Sequence, residues 1–251
     1  MHHVQAFNNN PFTLTMRHVE GETFSMGSTE KDAFDDEKIV HAVTVPSFSM
    51  GEYLVTQALW AIVMHDTGMP DPSHFKGENH PVENVSWEDI TNIFLPKLNE
   101  MTKDLRPKDS FYRLPTESEW EFAAKSGKNW ANKPFKYAGS NKLNEVGWFE
   151  ENSHAETKPV GLKTPNFLGL YDMSGNVYEW CEDQWHSTYE GAPNDGSAWL
   201  GEKEGANRVL RGGNWDNFAQ YCRSAFRNSY ASSDRSSFIG FRLTLVSPSV
   251  L

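Results

Sequence analysis

From Lys128 to Gly169 the chain shows no hydrophobic period, yet it carries Phe135, Tyr137, Trp148, Phe149 and Phe167. A stretch that long without regular structure is either disordered or an ordered functional loop. Aromatic side chains are costly to leave in water, so their presence predicts ordered packing. This rules out a chain dominated by long helices or by a regular parallel sheet. The fold must tolerate long, packed loops.

Elsewhere the periods are short. LTMRHVEG and TFSMG read as two strands around the Glu20–Gly21 corner, and VTVPSFSMGEYLVT is again strand-like. Thr56 caps a helix carrying Leu59, Trp60, Ile62 and Val63 at helical spacing. The Ser86–Asp89 spacing is a capping box for a second helix running towards Met101, with a kink or early break expected at Pro96. Thr116 and Glu119 form another box, ahead of Trp120, Phe122, Ala123 and Ala124, and this third helix should end near Gly127. Strand character returns at Gly175–Cys181, Val209–Arg211 and Ile239–Val246. The class is α+β, with small antiparallel sheets, few helices and long ordered loops. We read residues 1–12 as an N-terminal extension and 13–251 as a single domain.

The formal net charge of -11 disfavours a phosphate backbone, and no run of Lys and Arg offsets it, so nucleic acid is not an expected partner. Met1–Asn10 lacks the apolar region of a secretory signal, and no segment has the length of a membrane span. Membrane insertion is therefore not expected. The location stays open between cytoplasmic, phage-borne and a mature surface-displayed form, and a monomer is expected. Two cysteines, Cys181 and Cys222, are too few for a disulfide scaffold and read as buried thiols, though a pairing is not excluded by spacing. The nine histidines show no i, i+4 ligand pair. Paired carboxylates such as Glu119 with Glu121 and Glu182 with Asp183 read as solvated or capping groups.

Two segments carry candidate sites. In DMSGNVYE, Asp172 and Glu179 place hard oxygens on either side of a turn at Gly175, which suits a calcium ion or a turn whose carboxylates accept backbone amides. From Asn214 to Phe238, six of 25 residues are aromatic and twelve are Asn, Asp, Gln or Ser, with no Val, Ile, Leu, Lys or Glu. A core segment would contain branched aliphatics and an ordinary surface would contain Lys and Glu. Aromatics among small polar residues instead resemble an antibody-like binding surface. Arg211, Arg223, Arg227 and Arg242 are expected to hold loops through carboxylates and carbonyls rather than to bind ligand.

HPVENVSWEDI, YRLPTESEWEFAAKSG, PNFLGLYDMSGNVYEWCEDQW, RVLRGGNW and IGFRL occur in this order. Together they resemble the formylglycine-generating-enzyme, or sulfatase-modifying-factor, family over roughly Thr13 to Val246. The resemblance implies a C-type-lectin-like fold. It also implies calcium at Asp172, Gly175, Val177 and Glu179. The family's enzymes hold copper with two cysteines; one matches Cys222, but the other falls near Asn217, whose amide is a poor ligand for a soft ion. The iron histidines of related oxygenases come from an extra helical domain that this chain does not supply. Neither copper nor iron is expected, nor catalysis; the alternative is a metal-dependent oxidase or oxygenase.

The C-terminal pattern is similar, within that family, to the variable proteins of diversity-generating retroelements. Their AAY codons, mutated at adenine, can yield Phe, Ser, Tyr, Asp or Asn among others, but never Lys, Glu, Gln, Met or Trp. Asp216, Asn217, Phe218, Tyr221, Phe226, Asn228, Ser229, Tyr230, Ser236, Ser237 and Phe238 obey this rule. They fall within residues 212–242 between fixed-looking pieces, which include Trp215 and Gln220. The resemblance implies that they bind ligand, a protein or a cell-surface group.

Overall fold

The computed structural model describes residues 2–7, 10–132, 134–201 and 206–247. Among them the strands are β1 (His2–Phe7), β2 (Asn10–Val19), β3 (Glu22–Met26), β4 (His41–Val45), β5 (Phe48–Gly51), β6 (Phe111–Arg113), β7 (Tyr178–Gln184), β8 (Arg208–Arg211), β9 (Arg227–Tyr230), β10 (Ile239–Gly240) and β11 (Thr244–Val246). One sheet has the order β1-β2-β5-β11-β6, a second the order β10-β7-β8-β9, and β3 pairs with β4. Residues 2–7, inside the segment read as an extension, pair antiparallel with β2 as an edge strand.

The single strand expected over Ile239–Val246 is two. β10 runs parallel to β7, whereas β11 lies antiparallel between β5 and β6. The chain changes sheets at Arg242, which is buried and donates to the carbonyls of Gly51, Glu52 and Tyr171. Likewise β7 starts at Tyr178 rather than Gly175, because Asp172, Gly175 and Asn176 have φ of 57°, 86° and 67°. Left-handed residues cannot continue a ladder.

The helices follow their caps. Thr56 Oγ1 accepts the Leu59 amide at 3.3 Å to start α1 (Gln57–Met64). Ser86 and Asp89 bond reciprocally at 3.0 Å ahead of α2 (Trp87–Asp89). The break expected at Pro96 is displaced: a π-helical segment, Ile90–Phe94, precedes α3 (Leu95–Met101), and Pro96 falls in its first turn. The wider π turn accommodates a residue that lacks an N–H and crowds the preceding turn. Thr116 and Glu119 cap α4 (Glu117–Ala124), and Ser126 and Gly127 beyond its end both have positive φ. A short α5 (Leu143–Val146) interrupts the long loop.

One core cluster surrounds Trp60, Phe94 and Phe241, whose rings lie 5.1–5.3 Å apart in sequence of contact. A second gathers Trp120, Phe122, Met173 and Val209. The irregular stretch packs in part as its aromatics predict: Tyr137 and Phe149 join Leu143, Val146 and Cys222 in a third cluster, whereas Phe167 is 52% exposed.

Candidate ligand-binding face

The C-terminal segment is held from beneath by arginines. Arg211, at the end of β8, pairs with Glu121 and donates to the carbonyls of Ser224, Ala225 and Phe226 at 2.7–3.1 Å. Arg227 grips both oxygens of Glu117 at 2.6 and 2.9 Å and donates to the carbonyls of Asp36 and His186. Arg223 grips Glu37 at 2.5 and 2.6 Å, and Arg242 grips Glu179 at 2.9 and 3.0 Å. Planar guanidinium forks suit this use, because each saturates a carboxylate and still has N–H groups for carbonyls. These arginines and their carboxylates are all buried.

Glu117 and Glu121 sit one turn apart on α4 and face the same way. Burial pushes the Glu121 carboxyl up, but Lys125 and Arg211 outweigh it and hold it below the ordinary range. The expectation of solvated or capping carboxylates is therefore wrong for Glu121, whereas Glu119 is a cap as expected and is buried against Arg113. Charged residues on a core-facing helix carry no hydrophobic period, so the spacing rule overlooked them.

The eleven candidate residues separate by exposure. Phe218 is 62% exposed and Tyr230 37%; Asp216 is also exposed. Asn217, Tyr221, Asn228, Ser229, Ser236, Ser237 and Phe238 are half-buried. Phe226 is a correction: at 8% exposure it belongs to the first core cluster. The backbone carbonyl of Phe226 accepts from Arg211, and its ring packs against Phe34 and Tyr221.

Two aromatic residues outside the segment complete the surface. Phe34 stacks on Tyr221 at 5.9 Å, and Phe75 stands edge-on to Trp215 at 5.3 Å. Trp215 packs on Phe238 at 4.9 Å and donates its indole N–H to Ser237 O at 3.0 Å, consistent with a scaffold role. Composition of the segment alone could not find Phe34 or Phe75, which come from loops far away in the chain. Gly213 (φ +75°) lets the backbone pass Cys222, because a Cβ there would lie 2.6 Å from its sulfur.

Both thiols are buried and free, in different packing clusters. Burial pushes Cys222 up to about 12, so it is a neutral thiol at neutral pH. At the calcium candidate, a Cβ on Gly175 would lie 2.1 Å from Trp148 O, so only glycine makes this turn. Asp172 Oδ2 accepts the Gly161 amide at 2.8 Å, while its Oδ1 is buried with no partner. An orphaned buried carboxylate oxygen fits a cation. Glu179 fits less well, since both oxygens face Arg242 and Oε2 also accepts the Trp120 indole. A cation would have to share that carboxylate with a guanidinium. The described residues contain no group of three His, Cys, Asp or Glu side chains poised to hold a metal.

A family model described as the sulfatase-modifying factor enzyme 1-like domain matches residues 4–246. The chain belongs to that family. Its fold is also that of Treponema denticola variable protein 1, with a TM-score of 0.82 and 29% identity over 97% of this chain and 98% of that one. Among family relatives, the chaperone protein LppX of Paenibacillus barcinonensis is 35% identical over 78% of this chain and 77% of its own length. The formylglycine-generating enzyme of Thermomonospora curvata is 27% identical, covering 85% of this chain and 73% of the enzyme. Three chlamydial serine/threonine-protein kinases also match, and the chain spans 38% of their length. Enzymes and a variable protein are thus both similar to this chain, and no helix among the described residues is long and apolar enough to cross a membrane.

Proposed function

We propose that this family member is a ligand-binding protein whose C-terminal face, diversified by a retroelement, engages a protein or cell-surface group without catalysis. The observation that carries this reading is the exposure of Phe218 and Tyr230 on a segment whose backbone is fastened by buried arginines. Exposed aromatics supply contact area at low entropic cost. The likeness to a variable protein supports the same reading. The two thiols lie in separate packing clusters, which supports a reading without a copper clamp.

A display library varied at Asp216, Asn217, Phe218, Ser229, Tyr230 and Ser237 over Phe, Ser, Tyr, Asp and Asn tests it. Selected against a purified protein such as lysozyme, it should yield folded binders that lose affinity at least tenfold when their selected aromatics revert to Asn. Absence of binders from a folded library would defeat the reading. Metal analysis of the purified protein addresses the alternative: stoichiometric copper or iron would favour an oxidase.

Calcium, if bound, would be structural, held by Asp172, the backbone at Gly175 and Val177, and Glu179. Burial pushes the Asp172 carboxyl up to about 6. A carboxyl raised in the folded state is stabilising while protonated, and that contribution is lost as pH rises from about 4, its unfolded value, to 6. In EDTA, Asp172→Asn should therefore gain on the order of 2–3 kcal/mol at pH 7 and almost nothing at pH 4. Calcium should raise the melting temperature of the wild type at pH 7 and not that of the variant. A wild-type melt indifferent to calcium would dismiss the ion.

A further inference from the structure

Glu83 is fully buried at the end of the loop formed by residues 71–83. Its Oε1 accepts the Phe75 amide at 2.8 Å, and its own amide donates to Ser73 Oγ at 3.2 Å. Its Oε2 is buried with no partner. The loop thus closes around one carboxyl group that is half satisfied. Phe75, positioned by that bond, stands edge-on to Trp215, and Trp215 packs on Phe238. On the far side, Asn84 donates its amide to Ser236 O at 3.0 Å, so the same corner touches the candidate face twice.

We propose that Glu83 is a proton-operated latch that sets the position of Phe75 and, through it, of Trp215 and Phe238. Protonated, the carboxyl carries no charge, and the closed loop buries a neutral group at a smaller cost than a carboxylate. Ionised, it leaves a charged oxygen buried without a donor, a state that costs several times an ordinary hydrogen bond. The loop relieves this by shifting to admit water or a further amide, and Phe75 moves with it. Burial pushes the Glu83 carboxyl up to about 7, against the amides of Phe75 and His74 that favour its charge. The charged groups facing it are Asp71, which raises it further, and Lys76, which lowers it; these two are paired with each other at 2.9 Å. Ser236, Ser237, Phe238 and Trp215, packed on the other side, bring no titratable group. The closed form is therefore favoured below pH 7 and given up above it. Any consequence for ligand rests on the binding reading; the latch itself does not.

The Trp215 indole N–H, bonded to Ser237 O, reports the movement by NMR without any ligand. Its cross-peak should titrate with a midpoint near 7 in the wild type and stand still in Glu83→Gln. His74 also lies edge-on to Phe75, at 4.7 Å, so His74→Gln must leave the midpoint in place. A static wild-type peak, an unchanged titration in Glu83→Gln, or its loss in His74→Gln would each overturn the latch. Should Glu83→Gln not fold, the Glu83 carboxyl carbon of the wild type decides: a midpoint shared with the indole supports the latch, and separate midpoints overturn it. Because no ligand enters, failure of the binding library would leave these outcomes intact.

Discussion

Arg211→Met should destabilise the protein by about 3–5 kcal/mol, the usual consequence of removing one partner from a buried pair. The substitution leaves Glu121 without its guanidinium and strips donors from the carbonyls of Ser224, Ala225 and Phe226. Lys125 remains within ion-pair reach of Glu121 at 2.6 Å, which keeps the carboxylate charged and limits relaxation. At this chain length the loss corresponds to a fall of roughly 10 °C in melting temperature. Urea unfolding of Arg211→Met, Glu121→Leu and the double variant measures it. The double should cost less than the sum, because it removes the stranded charge as well as its partner. A loss under about 1 kcal/mol for Arg211→Met would mean that the segment is held by side-chain packing instead.

Phe226→Asn should cost about 3–5 kcal/mol, whereas Phe218→Asn should change stability by no more than about 0.5 kcal/mol. Both changes are allowed by the same codon rule, and both positions look alike in the sequence. The difference is burial: Phe226 fills space against Phe34 and Tyr221 in the first core cluster, and Phe218 stands in solvent. Asn at 226 also buries an amide with no assured partner. Equal effects at the two positions, read from the same urea curves, would show that the exposed aromatic is not free to vary.

Much of the frame was legible in the residues. Thr56, Ser86 and Thr116 start helices where their side chains can reach the third amide beyond, a local rule that tertiary structure did not override. The packed irregular stretch was legible from its aromatics, and the role of the four arginines from their chemistry. What was not legible depended on partners distant in sequence. Arg242 pulls one expected strand into two because its acceptors lie near residues 51, 52, 171 and 179. Glu37 and Glu117 are acceptors for Arg223 and Arg227 across 186 and 110 residues, and no period in the chain marks them. For the site, composition identified the segment but not its facing. A residue type that can be made by codon mutation says nothing about which way the backbone turns it, so Phe226 entered the candidate set and Phe34 and Phe75 did not.

If the arginines alone set the path of the segment, side chains that face solvent can be exchanged together without disturbing it. The decisive measurement is the thermal melt of one variant carrying Asp216→Ser, Phe218→Asn, Ser229→Asn and Tyr230→Ser at once. A cooperative transition within roughly 4 °C of the parent, equivalent to about 1 kcal/mol, is the expected result. A broad or absent transition would contradict it, because the fold would then depend on the very residues proposed to be free for ligand.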